Sequence, residues 1–407
     1  MSCTRRCAWS LAVADVLRRC LLVGALLGAL EASGAPDPRL PSWPQYRFGP
    51  AHTGASPYEH LLTRSNVGRL RLAWAVRTGG EVWSSPAVGN GIVYIGSNDK
   101  HVYALRATTG AKLWRAAVGG DPSAPALVGS ELYVSANNAF AYAFNAATGK
   151  QLWRTNLLGS QGAFPAAPTV AGGAVYVMDD GLVALDASTG MMRWRLQIDC
   201  FSCPVAFANG TVYTAATDPS DSAAGGRMYA LDPATGKSRW ATSLGGTGAF
   251  TPAVAEGIVY VGIDVDAAGG IRPWSIAAFD AATGRQLWRS GIGRSKYLTW
   301  ASAAVTARRV VFPSPAGRLV ALDAKTGRRL WSVPFRVTDS APAIANGVVY
   351  VGSTDKHLYA FDIRTGRQIW RAATGGEITS SPTIAGGTVI VGSDDGVVRA
   401  FRLRSTR

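Results

Sequence analysis

The chain has 407 residues, 47% of them hydrophobic and only 16% charged, which excludes a disordered chain. Its 47 glycines, many in short clusters, imply frequent tight turns and argue against long helices. The net charge of +15 comes from 41 basic against 26 acidic residues, but beyond the N-terminal segment no extended basic run occurs, so no specific nucleic-acid partner is expected.

Residues 1–35 read as a signal peptide. Arg5, Arg6, Arg18 and Arg19 give a cationic start, an apolar run covers 20–30, and small residues follow at 33–35. Eleven apolar residues are too few to span a bilayer, so cleavage and export to a periplasmic or extracellular compartment are expected, with no transmembrane segment in the mature chain. No cysteine closely follows the run to take a lipid, and Arg5-Arg6 leaves the export route open between Sec and twin-arginine. Residues 36–68 form a lead-in segment before the periodic part of the chain.

From 69 to 404 the sequence repeats. A short apolar strand, a turn ending Thr-Gly, three residues and a tryptophan recur seven times, closing on Trp114, Trp153, Trp194, Trp240, Trp288, Trp331 and Trp370. Trp74 has the final strand's character without the preceding turn, and the spacings from it are 40, 39, 41, 46, 48, 43 and 39 residues. That is the length of a four-stranded propeller blade. Within a unit, SSPAV predicts the inner strand, IVYIGS the second, HVYALRA the third and KLWRA the outer one. In the D-A-x-T-G turn, the Asp or Asn side chain caps backbone amides and the glycine takes the left-handed position. Each indole is expected to lie against the next blade and bury roughly 150–250 Å². The last repeat supplies three strands, and the strand of Trp74 supplies the missing fourth. The expectation is an all-β, eight-bladed propeller of antiparallel blades, closed by pairing the N-terminal strand with the C-terminal blade.

The phrase A-x-D-x-x-T-G-x-x-x-W resembles the tryptophan-docking motif of pyrroloquinoline-quinone-like (PQQ-like) repeat propellers, over 68–402. The segment Trp43-Pro44-Gln45-Tyr46 through Ala51-His52-Thr53-Gly54 is similar to the lead-in of such propellers. The resemblance implies one of two kinds of protein. Quinoprotein dehydrogenases hold the quinone and calcium above the central channel. Shorter non-enzymatic members, such as the propeller subunit of the outer-membrane β-barrel assembly machinery, bind proteins. The dehydrogenases are longer, and many carry a disulfide between adjacent cysteines, where this chain has Cys200-Phe201-Ser202-Cys203. No set of calcium ligands with a catalytic base stands out, so the short members are the closer match and no cofactor is expected. A small PQQ-dependent alcohol or sugar dehydrogenase, with PQQ and calcium, is the alternative.

Loops entering the inner strands share one face with those joining second and third strands. They carry the binding-face candidates Glu81, Trp83, Asp121, Phe164, Phe201, Tyr297, Trp300, Arg336, Asp339 and Glu377, beside Gln161 and Asp199. Aromatic and charged side chains converging on a channel mouth suit a ligand or a partner's loop; the partner expected is a protein or an envelope polymer, an acidic one included. Stacking of the aromatics on carbohydrate is a narrower reading. In an oxidising compartment Cys200 and Cys203 are expected to form one local disulfide, a redox pair being the weaker reading. Two longer loops, 217–221 and 264–266, carry spaced carboxylates that read as solvated hairpins more than as calcium ligands. His101 and His357 occupy equivalent repeat positions, and no zinc, phosphate-loop or Ser-His-Asp signature appears.

Overall fold

The computed structural model describes residues 42–159, 165–198, 204–217, 225–246, 248–265, 270–336 and 338–403. The signal-peptide reading, Phe164, Phe201, Cys200 and Cys203 lie outside the described residues.

Eight antiparallel sheets form eight blades. Blade 1 runs Ala87–Gly89, Ile92–Ser97, His101–Arg106 and Lys112–Ala117 in spatial order, and blades 2 to 7 repeat this over 126–156, 169–196, 206–243, 253–295, 304–334 and 343–373. Blade 8 takes Thr383–Ala385, Thr388–Ser393 and Val397–Leu403 from the C-terminal end, and its outer strand is Leu70–Arg77. That pairing runs from Leu70 opposite Leu403 to Arg77 opposite Val397, so the ring shuts with strands from both ends of the chain in one sheet. Among the described residues the one helical element is a single turn, Val67–Arg69.

Burial follows position in the blade. The second strand of blade 1 is buried on both faces from Val93 to Ser97, because each inner face packs on a neighbouring sheet, whereas the outer strand Lys112–Ala117 alternates between exposed and half-buried positions. The turn before each tryptophan is held as its composition requires. Asp186 Oδ1 accepts the Ser188 and Thr189 amides at 3.0 Å each and both hydroxyls; Asp232, Asp280 and Asp323 repeat the amide-and-threonine part of this pattern.

A feature absent from the sequence reading then aims the indole. In every blade the pairing of third and outer strand slips by one residue immediately before the tryptophan. Such a bulge turns the side chain out of the sheet's alternation and toward the next blade. Nε1 of Trp74, Trp114, Trp153, Trp194, Trp240, Trp288 and Trp331 donates to the carbonyls of Ala107, Ala146, Ala187, Pro233, Ala281, Ala324 and Ile363, one residue past the start of the next blade's turn, at 2.8–3.1 Å. Trp370 meets blade 8, which lacks that turn, and donates to Leu70 O at 3.2 Å instead. The turn glycine answers a second demand: Gly190 has φ +74°, and a Cβ there would lie 2.7 Å from the Trp153 ring. Only Trp74, Trp153 and Trp370 are buried; the other five indoles are half-buried, so a full-burial energy overstates their contribution.

The lead-in binds the inner strand of blade after blade. The amides of Val88, Leu127, Phe207, Val254, Val305 and Ile344 donate to the carbonyls of Trp43, Pro44, Pro50, Ala51, Thr53 and Gly54, at 2.6–2.9 Å. In blade 3 the Gln45 side chain takes the same part, accepting from Val170 N and donating to Val170 O, both at 3.0 Å. The segment thus meets the inner strands of blades 1 to 7 in order and ties seven blades together from inside. It carries polar groups into the core: Arg47 and His52 are buried, Arg47 Nε donates to His52 O at 3.0 Å, and His52 Nε2 lies 3.1 Å from Thr169 Oγ1. Burial lowers Arg47 to about 10 and, with the Arg47 charge adding to it, His52 to about 3, so His52 is neutral.

Candidate functional site: the channel mouth

Four residues before those lead-in contacts, the segments entering the inner strands carry Ser-x-Pro or related phrases. The serines staple neighbouring blades: Ser84 Oγ donates to Ser123 O at 3.2 Å, Ser340 Oγ to Ser380 O at 2.9 Å, and Ser381 N to Ser85 Oγ at 2.9 Å. Above them opens a cavity of about 510 Å³. Tyr46 of the lead-in lines it.

Of the candidate residues, the cavity brings together Trp83, Asp121, Trp300 and Asp339. Both indoles remain about two-fifths exposed, 40% for Trp83 and 42% for Trp300, so they flank the opening without filling it. Glu81, Tyr297, Arg336 and Glu377 do not line it. The loops into blades 1 and 8 show why for the two glutamates: Val82 and Ile378 are buried, Trp83 and Thr379 beyond them reach the cavity, and Glu81 and Glu377 sit one step farther out and exposed. Tyr297 is exposed under the Lys296 ammonium, 5.3 Å from its ring centroid. Arg336 borders a separate groove with Phe335, Asp355 and Tyr359. Pro165 and Pro204, which directly follow residues 160–164 and 199–203 in the sequence, line the cavity. Asp264 is buried and paired to Arg272 at 2.7 Å, which removes it from the calcium candidates.

The sequence reading missed Tyr46, Asn98, Asn137, Thr251, Thr379 and Asp394. A signal for three of them exists in the paired polar residues joining second and third strands. The first of each pair, Asn98, Asn137 or Asp394, faces the cavity. The second is structural: Asp99 accepts from Gly79 N, Asn138 donates to Val118 O, and Asp395 pairs with Arg399.

The mouth's polar groups are partly fixed. Asn137 Nδ2 donates to Asp121 Oδ2 at 2.9 Å and its Oδ1 accepts from Asp121 N at 2.7 Å. Asp339 Oδ1 accepts from Trp300 N at 2.8 Å, and Asp394 Oδ1 from Thr379 Oγ1 at 3.0 Å. Burial pushes Asp339 up, and burial together with the Glu81, Glu377 and Asp395 charges pushes Asp394 to about 6 against the Thr379 hydrogen bond.

The family model described as outer membrane protein assembly factor BamB matches residues 98–199, 198–336 and 273–407. The chain belongs to this family of PQQ-like repeat propellers. A second model, the β-propeller domain of glucose, ethanol and alcohol dehydrogenases, matches 43–124, which includes the lead-in. Among relatives, quinohemoprotein alcohol dehydrogenase ADH IIB of Pseudomonas putida is 29% identical over 40% of this chain and 27% of its own length. Tetrathionate hydrolase of Acidithiobacillus ferrooxidans is 26% identical over 67% of this chain and 42% of its own. Outer membrane protein assembly factor BamB of Burkholderia pseudomallei is 28% identical over 44% and 45%. The matches thus span less than half the length of these relatives. The crystal structure of BamB from Moraxella catarrhalis superposes with a TM-score of 0.65 at 21% identity, covering 82% of this chain and 99% of that one, a likeness of fold alone. Within the PQQ-like family the repeat therefore fixes architecture, and the mouth has to be judged on its own side chains.

Proposed function

We propose that this chain is an exported, non-catalytic propeller that binds a protein partner through the face carrying the channel mouth. The observation that carries this reading is the mouth itself: a preformed cavity with two exposed indoles and an arc of polar side chains, carried by the loops that enter the inner strands. The BamB match and the BamB relatives support a scaffold role. No helix among the described residues is long and apolar enough to cross a membrane.

The donor set does not suit the quinone and calcium of the dehydrogenase members. The cavity lining contains three carboxylates and no Lys, Arg or His to meet a tricarboxylate quinone. Among the described residues no three His, Cys, Asp or Glu side chains converge at metal-binding distance.

The test has two arms. A photo-crosslinking residue replacing Trp300 is expected to give a discrete protein adduct in the producing cell, where the same residue at Leu113, on the outer strand of blade 1, gives none. Purified chain incubated with the quinone and calcium is expected to show neither stoichiometric uptake nor dye-linked oxidation of alcohols or aldoses. Turnover with bound quinone would sink the scaffold reading.

A further inference from the structure

The mouth is charged against the sign of the protein. In a chain of net charge +15, five acidic residues among the described ones surround the opening: Asp121, Asp339 and Asp394 in the lining and Glu81 and Glu377 just outside it. Elsewhere aspartates, buried or half-buried, have found guanidinium partners: Asp186 with Arg193, Asp232 with Arg239, Asp264 with Arg272, Asp362 with Arg64, Asp395 with Arg399. None of the five at the mouth is ion-paired among the described residues. The internal segments outside those residues, 160–164, 199–203, 218–224, 247, 266–269 and 337, contain no Lys, Arg or His either. Lys100, Lys296, Arg336 and Lys356, in loops of the same face, are exposed and outside the lining.

The acids are also arranged. They come from blades 7, 8, 1 and 2, which are consecutive around the ring, so one half of the mouth is acidic. The other half presents Pro165, Ala167, Pro204, Thr251 and Trp300. A divalent ion would need three or more of these oxygens at one point, an arrangement the described residues do not provide. An organic cation on an apolar stem fits both halves: charge toward the carboxylate arc, methylenes along proline and alanine, and an indole face within reach of the cation.

Building on the scaffold reading, we propose that the mouth receives an arginine or lysine side chain from an extended segment of the partner protein, held by the carboxylate arc of Asp121, Asp339 and Asp394 and by Trp83 and Trp300. Asp394 is the group that makes this pH-sensitive. The groups acting on it are Glu81, Glu377, Asp395 and the Thr379 hydroxyl, and its carboxyl, raised to about 6, is charged at neutral pH and loses that charge as pH falls through 6.

The test is calorimetric titration of the purified chain with a Gly/Ser peptide bearing one central arginine, against the same peptide bearing citrulline, which keeps the shape and drops the charge. The arginine peptide is expected to bind about tenfold or more tightly than its citrulline twin, a difference that shrinks with added salt. Asp394→Asn preserves an acceptor for Thr379 and is expected to weaken the arginine peptide by about tenfold, and Glu81→Gln with Glu377→Gln, both exposed, by about threefold. Binding is expected to fall between about pH 8 and about pH 5 in the native chain and to be flatter in Asp394→Asn. Equal affinity for arginine and citrulline, no binding of either, or indifference to these variants would overturn the proposal. So would tighter capture of an amino-sugar oligomer than of the peptide, because it would place a polysaccharide in the mouth. If crosslinks from position 300 persist while the peptide results are negative, the scaffold reading stands and the cationic anchor alone is lost.

Discussion

A carboxylate at the outer turns and a carboxylate at the channel mouth have opposite fates in this propeller. Asp186, in a repeated turn, receives hydrogen bonds from Ser188, Arg193 and Thr189, and the Ser188 hydroxyl leads these in holding it far below the usual carboxylate range. Asp394, in the mouth, is half-buried among other acids with one hydroxyl to satisfy it, and it rises to about 6. The first group is stabilised by the blade it belongs to; the second is held at a cost by a fold whose stability comes from elsewhere. Positions that obey the repeat build the ring, and positions that break it are available for recognition.

The comparison can be broken most directly at a tryptophan from each region. Trp194→Ala removes a half-buried indole and its 2.9 Å bond to Pro233 O in the next blade. Urea unfolding is expected to show a loss of about 3–4 kcal/mol. Trp300→Ala at the mouth is expected to cost less than about 1 kcal/mol in the same experiment while weakening the arginine peptide. Equal costs would mean that the mouth tryptophan is a fold residue and that the contrast between regions is mistaken. Next in size is Gly190→Ala, which places a Cβ at φ +74° against the Trp153 ring. The strained backbone and the overpacking together are expected to cost about 2–3 kcal/mol. Gly91→Ala, also at positive φ but with open space around its Cβ, is expected to lose only the backbone part, about 1 kcal/mol. The difference between the two isolates the docking of blade on blade.

The ring was legible in the sequence because each of its devices is local and repeated. A turn, a glycine and a tryptophan within twelve residues leave the same trace seven times, and the unpaired Trp74 strand betrays the closure. The bulge before each indole left no separate trace, since it inserts a residue into a strand whose composition does not change. The mouth was half legible. Trp83, Asp121, Trp300 and Asp339 break their repeats conspicuously, but Tyr46 reaches the cavity from a segment some forty residues before the nearest inner strand, a contact no periodicity encodes. Asp394 resembles its structural neighbour Asp395 in every respect except the side of the loop it faces.

The lead-in belongs to neither region, and its weight can be measured. Gln45 is buried and replaces a backbone segment opposite Val170, so Gln45→Ala leaves both an amide and a carbonyl of an inner strand unpaired. A loss of about 1–2 kcal/mol in urea unfolding is expected. The arginine peptide should then bind more weakly as well, because the adjacent Tyr46 lines the cavity. Loss of stability with unchanged binding would separate the plug from the site.

The smallest effect is the one that tests the comparison by sign. A carboxylate whose folded pKa lies above its unfolded value weakens the fold at pH values where it must ionise, and that penalty fades as pH falls toward the unfolded pKa. Asp394→Asn is therefore expected to raise the thermal midpoint slightly at about pH 7.5 and to leave it unchanged near about pH 4. Asp186 has the opposite linkage. Its depressed pKa contributes stability above the unfolded value that is lost as pH falls through the folded one, so Asp186→Asn is expected to lower the midpoint at neutral pH, with the gap closing in strong acid. Plotted against pH, the midpoints of the two variants would approach the native curve from opposite sides as the pH falls. If Asp394→Asn also lowered the midpoint at neutral pH, the mouth carboxylate would be a stabilising group, and the charge left uncompensated there would need a partner within the chain itself.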